Sequence, residues 1–389
     1  MEYRMLSSVC EYRKDRISAK KVDEDNYIST ENMLPDKKGI EKASSIAEGK
    51  TLPAYKEGDI LLSNIRPYFK KIWFANKTGG CSNDVLVLKS NDSVDKKFLY
   101  YVLSDNNFFN YSTVSSKGTK MPRGSKHAIM KYLVPDIDLP GQKRIADVLS
   151  AYDDLIENNN KRIALLEKAA QELYKESFVR FRFPGYEKAK FVNGLPEGWN
   201  IKRMNDFCYV TDGTHDTPKP VDEGVPLVTG RCISNGFVDF SIAYNISETS
   251  HNGIKKRSGL KSGDIIFSNI GTVGNCCIVD YDREFSVKNV IIFKPQSMRD
   301  TAYLYYWMNS STMQEIFAAQ TNGASQQFVG LTFMRRYKIL VPDENTLNMF
   351  ADKILPIVEQ KRLLHQNNLN LIKQRDLLLP RLMSGNLEV

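Results

Sequence analysis

The stretch E-G-D-I-L-L-S-N-I runs from Glu57 to Ile65, and S-G-D-I-I-F-S-N-I runs from Ser262 to Ile270, 205 positions later. Six of the nine residues are identical. A fixed offset marks an internal duplication, and the offset persists. L-Y-Y at Leu99–Tyr101 recurs at Leu304–Tyr306, and Val85 and Lys89 match Val290 and Lys294. V-P-D at Val134–Asp136 recurs at Val341–Asp343, 207 on, and Cys10 falls opposite Cys208 after a small drift in register. Matches in one order with small drifts define two diverged copies of a unit of about 200 residues.

Each copy has a mixed part and a helical part. In copy one, Asp59–Ile65 and Val85–Lys89 predict strands, bounded by K-E-G-D and K-T-G-G turn signals. Asp95–Asn110 predicts one helix, packed through Phe98, Tyr101, Val102 and Phe109. Copy two repeats these elements at Asp264–Ile270, Val290–Lys294 and Thr301–Phe317.

From Gln142 to about Phe178 the chain has no proline or glycine. Steps of four and three residues pick out Ile145, Leu149, Tyr152, Ile156, Asn159, Ile163, Leu166, Ala170, Leu173 and Ser177, of which eight are apolar. That is a coiled-coil seam with a polar residue near its middle. In copy two, Leu364, Leu371 and Leu378 keep the seven-residue spacing, and Asn367 takes the place of Asn159. Pro356 predicts a kink in that helix and Pro380 a disturbed last turn. Both apolar stripes are buried at once if the helices pack antiparallel. The first helix, about 55 Å long at 1.5 Å per residue, then holds the two mixed domains apart. The expected fold is α+β, with residues 1–140 as the first mixed domain and 141–182 as the central helical region. Pro184, Gly185, Gly194, Pro196 and Gly198 predict an irregular linker over 183–198. Residues 199–344 form the second mixed domain and 345–389 the C-terminal helical region.

Hydrophobic content of 42% and charged content of 26% fit a globular protein. No apolar run is long enough to span a bilayer, and the N-terminus lacks a signal peptide's apolar core, so a cytoplasmic location is expected. The six cysteines form no C-x-x-C pair and the four histidines are scattered. Free thiols are expected, and no metal site, because zinc needs clustered ligands. Net charge is +8, which permits a polyanionic partner without requiring one.

Catalytic signatures are missing. There is no phosphate-binding G-x-x-x-x-G-K-[ST] loop, no G-x-S-x-G nucleophile elbow, and no N-P-P-Y-like tetrapeptide of an amino-methyltransferase. I-G-T-V-G at Ile270–Gly274 reads as a turn between strands. His215 has no evident partner in the sequence. What remains is binding by loops rich in basic, amide, hydroxyl and glycine residues. In copy one these are Asn64–Lys71, with Asn64, Arg66, Tyr68, Lys70 and Lys71, and Ser115–Lys126, with Lys117, Thr119, Lys120, Arg123 and Lys126. In copy two they are Thr211–Pro220, with Thr214, His215, Thr217 and Lys219, then Ser268–Asn275, with Asn269, Thr272 and Asn275, and Thr321–Gln327, with Ser325, Gln326 and Gln327. Lys and Arg suit phosphates and guanine edges, and Asn and Gln suit adenine edges. The scaffold matches between copies while these loops differ, as two readers of different short targets would require.

Several motifs together carry a family resemblance over nearly the whole chain. They are G-L-P-E-G-W at Gly194–Trp199, D-G-T-H-D-T-P at Asp212–Pro218, the paired G-D-I strands, Q-K-R-I-A-D-V-L-S from Gln142, and L-L-L-P-R-L-M-S-G at Leu377–Gly385. The chain resembles the specificity subunit of a type I restriction–modification system. The resemblance implies two target recognition domains, each reading half of a bipartite site in double-stranded DNA, with the helices as a ruler for the spacer. It implies a non-catalytic subunit that binds no cofactor itself and docks two modification subunits, which bring S-adenosylmethionine. Restriction subunits would add ATP- and Mg-dependent translocation and cleavage. The competing readings are a coiled-coil adaptor for proteins, which leaves the basic loops unexplained, and a self-contained nuclease, which lacks its motifs.

Overall fold

The structure, a computed structural model, describes residues 2–281, 283–321 and 328–384. Two compact units form: Met1–Asn159 with Gln366–Val389, and Asn160–His365. Each unit takes its own length of both long helices, so the units do not follow chain order.

The duplication is a duplication of topology. In the first unit a four-stranded antiparallel sheet has the order Cys10–Tyr12, Val85–Ser90, Ile60–Ser63, Ile72–Phe74. In the second the order is Tyr209–Asp212, Ile291–Lys294, Ile265–Phe267, Cys276–Ile278, again antiparallel. A mixed sheet accompanies each, four-stranded and including Thr51–Tyr55 in the first unit, and three-stranded around Val225–Thr229 in the second. The V-P-D segments close both units: Leu133–Pro135 pairs with Tyr3–Met5, and Lys338–Val341 with Asn200–Arg203. The aspartate that follows is held by Arg4 at 3.3 Å in the first unit and by the Trp199 indole at 2.9 Å in the second.

The repeated nonapeptide is a turn feeding a central strand. Gly58 and Gly263 sit at φ +85° and +88°, where a side chain is strained. The Asp59 and Asp264 carboxylates, both buried, accept from the backbone N–H three residues earlier, at 2.7 and 2.9 Å. A buried carboxylate needs a counter-charge. Arg13 supplies it bidentately in the first unit, at 2.6 and 2.8 Å, and Lys294 at 2.5 Å in the second.

Two sequence expectations need correction here. The helix expected over Asp95–Asn110 is two helices, Lys96–Ser104 and Asn106–Val114. Asp105 between them is extended, and its carboxylate accepts from Asn107 N at 2.7 Å, starting a new helix rather than continuing the old one. The break recurs in copy two, between Met298–Met308 and Ser311–Thr321. The linker over 183–198 is not irregular throughout: Phe191–Val192 pairs with Leu195–Pro196 across Asn193-Gly194, both at positive φ, the pairing that an N-G turn favours.

The helices are Leu139–Tyr174, continued by a π-helical turn over Lys175–Val179, and Glu344–Met383. In the first unit Asp153 meets Arg375 at 2.5 Å and Asn159 meets Asn368 at 2.9 Å. In the second Glu167 meets Lys361, and the Tyr174 and Phe350 rings lie 6.2 Å apart. Partner numbers fall as the first helix climbs, so the helices pair antiparallel. The fold is α+β, with two mixed units of like topology and an antiparallel pair of long helices.

The C-terminal helix is continuous, and its seam differs from expectation. It runs through Pro356 and Pro380 as one helix. A proline in a helix interior costs about 3 kcal/mol. Burying a large apolar side chain returns about 1.5–3 kcal/mol, and Phe350 and Ile354 before Pro356, with Leu379, Leu382 and Met383 around Pro380, are all buried. The seam asparagine is Asn368, which is buried, and not Asn367, which is exposed. Leu364, Leu371 and Leu378 hold one seam position, and the other falls at Lys361, Asn368, Arg375 and Leu382.

Candidate nucleic-acid interface

In the first unit the structure brings the two candidate loops together. Asn64 O accepts from Gly124 N at 3.0 Å, Arg66 N donates to Pro122 O at 2.8 Å, and Ile65 forms a β-bridge with Arg123. Asn64 is buried, and its Oδ1 lies 3.1 Å from where a Cβ on Gly124 would stand. This asparagine holds the loops together from inside. Arg66 and Lys70 occupy the left-handed region at φ +49° and +52°, flanking a 3-10 turn over Pro67–Phe69. Such backbone is strained in non-glycine residues and collects at functional sites. It turns Tyr68 outward beside the half-buried Arg66, Lys70 and Lys71, and Lys71 Nζ donates to Thr30 O at 2.6 Å. Lys117, Thr119, Lys120, Arg123 and Lys126 are exposed on the second loop, with Arg123 paired to Asp84 at 3.0 Å. The result is a basic surface with an exposed tyrosine.

The second unit repeats the stitch with other occupants. Asn269 O accepts from Val329 N at 2.9 Å, its Nδ2 donates to Val329 O at 3.1 Å, and Ile270 bridges Phe328. Gly124 and Val329 are 205 residues apart, so the repeated S-N-I makes the same join in both copies. Ser325, Gln326 and Gln327 lie outside the described residues. The I-G-T-V-G stretch is the loop of a hairpin between Ile265–Phe267 and Cys276–Ile278. Thr272 and Asn275 are exposed there, yet Thr272 Oγ1 donates to Gly230 O at 3.1 Å and Asn275 Nδ2 to Ile233 O at 3.0 Å. Part of their bonding capacity goes to positioning the loop.

His215 does have partners. Its Nε2 lies 2.8 Å from Asp212 Oδ2 and its Nδ1 3.1 Å from Asn289 Oδ1. Arg257 donates to Asp212 Oδ1 at 2.6 Å, and Lys288 reaches Thr217. The ring is exposed but held from both sides. Thr214 is buried; its Oγ1 accepts from Asp216 N at 3.1 Å, while Thr217 and Lys219 are exposed. Arg257, Lys288 and Asn289 escaped the sequence reading. Arg257 lies on a helix, Glu248–Ser258, with no counterpart at residues 43–53 of copy one, so the repeat gave no signal. Asn289, at φ +52°, follows a strand and is visible in sequence only as an amide in a turn.

Among the helix residues, Ile145, Leu149 and Asn159 are buried, and Tyr152, Ile156, Ile163, Leu166 and Leu173 are half-buried. On the partner helix Leu364 is buried, and Leu371 and Leu378 are half-buried. All six cysteines are unpaired and buried. No helix among the described residues is long and apolar enough to cross a membrane.

Two like units with stitched, divergent polar loops and a paired-helix connection define a recognition protein. The family model for the type I restriction modification DNA specificity domain matches residues 1–168 and again 196–374. The chain belongs to this family, whose members are specificity subunits and not catalysts, and it carries the domain twice. That membership sets aside both the nuclease and the DNA-free adaptor. The specificity subunit of the type I restriction enzyme MjaIX from Methanocaldococcus jannaschii is 26% identical over 77% of this chain and 70% of its own length. The MjaVIII specificity subunit of the same organism is 23% identical over 99% and 92%. The crystal structure of a type I restriction–modification S subunit from M. genitalium shares the fold, with a TM-score of 0.57 and 14% identity over 98% of this chain and 96% of that one.

Proposed function

We propose that this chain reads a bipartite, asymmetric site in double-stranded DNA, one half per unit, in the cytoplasm. The observation that carries the reading is the paired S-N-I stitch. The same internal join presents R-P-Y-F beside K-G-T-K-M-P-R in one unit and G-T-V-G in the other. A shared frame with unlike loops gives two readers of unlike sequences. In the first unit Tyr68, Lys117, Thr119, Lys120, Arg123 and Lys126 face the DNA, with cations on phosphates and guanine edges. In the second His215, Thr217, Lys219, Thr272 and Asn275 do so. The long helices govern the unread spacer and dock two modification subunits, which supply S-adenosylmethionine and methylate adenine. Restriction subunits, with ATP and Mg, complete the complex.

Sequencing the methylated bases of a host that expresses this chain with its modification subunit tests the reading. One split, asymmetric adenine motif is expected. Exchanging residues 199–344 for those of a relative should change one half of that motif. A motif without a gap, or a change in both halves, refutes it.

A further inference from the structure

We infer that the two long helices are charged so as to choose each other and reject a second copy of themselves. The inference concerns pairing and stands apart from the DNA reading of the loops.

The seam is lined by charges as well as leucines. On the first helix these are Asp153 and Glu167, and on the second Lys361 and Arg375, with the buried amide pair Asn159–Asn368 between them. Lys361 lies 208 residues after Asp153, and Arg375 lies 208 after Glu167. The duplication therefore inverted the sign of both charges. The inversion is used in the fold. In the first unit Asp153 pairs with Arg375 at 2.5 Å, and in the second Glu167 pairs with Lys361. The bases are well covered, Arg375 at 17% and Lys361 at 7% side-chain exposure. A covered charge depends on its partner far more than a solvated one does.

The same repeated motif stands beside both pairs, and in the first unit it fastens the pair to the recognition unit. The second tyrosine of L-Y-Y is Tyr101 in copy one and Tyr306 in copy two. The Tyr101 hydroxyl donates to Asp153 Oδ2 at 2.6 Å. Burial and the neighbouring Glu167 carboxylate both push the Tyr306 hydroxyl up. The Lys361 ammonium also lies 5.6 Å from the Tyr305 ring.

The consequence follows from antiparallel register. Position 153 faces 375, the counterpart of 167, and position 167 faces 361, the counterpart of 153. If a second copy of the first helix replaced the C-terminal helix, Asp153 would face Glu167 of that copy, and the reverse. If a second copy of the C-terminal helix replaced the first, Lys361 would face Arg375. Either self-pairing sets like charges together twice in a partly dry seam, the device by which helical pairs exclude wrong partners. The leucines alone would allow both. Recognition units from two such chains can therefore be exchanged only between an acidic first helix and a basic second one.

Full-length variants test this. One carries Asp153→Lys and Glu167→Lys, so that both its helices are basic. A second carries Lys361→Glu and Arg375→Glu, so that both are acidic. A third carries all four changes. Light scattering after size exclusion and thermal melting are the readouts. Each two-site variant alone should melt below the wild type, and the four-site variant should recover most of the loss. Co-expressed, the two two-site variants should form a one-to-one swapped complex, favoured roughly tenfold or more over either with itself. The inference fails if the four-site variant melts as low as the two-site variants. It fails equally if the two-site variants behave as wild type or do not associate.

Discussion

The hydroxyl of Tyr101 donates to Asp153 Oδ2 at 2.6 Å, while Asp153 Oδ1 accepts from Arg375 at 2.5 Å. One carboxylate thus joins a recognition unit to both helices of its support. A hydrogen bond to a charged group contributes about 1.5–3 kcal/mol. Tyr101→Phe should destabilise the first unit by that amount without removing the ion pair, read as a lower denaturant midpoint at unchanged slope.

Asn159 Nδ2 donates to Asn368 Oδ1 at 2.9 Å inside the seam. Asn159→Leu alone takes that donor from a buried amide, a loss of about 1–3 kcal/mol. Asn159→Leu with Asn368→Leu should return to wild-type stability or exceed it, because an apolar layer has no amide to satisfy. Chemical denaturation of the two single variants and the double gives the coupling directly.

Lys117, Lys120 and Lys126 are exposed on the first unit's second loop. If they lie on phosphates, each should contribute about 0.9 to the slope of log affinity against log salt. Replacing all three by alanine, in the complex with the modification subunit, should lower that slope by up to about 2.7. The methylated motif should stay the same, since phosphate contacts carry no sequence.

Burial pushes the Cys10, Cys81, Cys208 and Cys276 thiols up to about 12, and Cys277 well above its usual value. The thiolate is the reactive form. A disulfide reagent at pH 8 should label the native chain slowly, and all six thiols once the chain is unfolded. Fast labelling of native protein would contradict the buried placement.

His365 stacks on Phe237 with ring centroids 3.9 Å apart, and burial lowers its pKa despite the opposing charge of Asp239. The ring is then neutral in the folded state where the unfolded chain already binds a proton. Stability is whole above the ordinary histidine value and falls as pH drops from it toward the folded value, by at most about 1.4 kcal/mol per pH unit. His365→Phe keeps the stack and should flatten that fall, as denaturation at pH 7.5 and 5.5 would show.

Much of the fold was legible in the residues. The nonapeptide, L-Y-Y and V-P-D marked corresponding places, because a turn, a covered tyrosine and a closing strand each demand particular side chains. Where the expectation was one helix, Asp105 made two, since a single carboxylate on Asn107 N outweighs the apolar rhythm around it. The candidate site was legible only as composition. Asn64 and Lys117 are both polar residues in basic loops, yet one is a buried fastening and the other a surface cation. That difference depends on a join between residues some sixty positions apart.

By itself, the sequence determined that there are two copies of one unit, that each has a long helix with a seam, and which loops diverge. These are properties of spacing, and spacing is local. Only the tertiary structure decided that Asn368 and not Asn367 enters the seam, that two prolines are carried through a helix, and that His215 is held by Asp212 and Asn289. Each of these depends on which buried surface a neighbouring element offers, and no single segment encodes its neighbour.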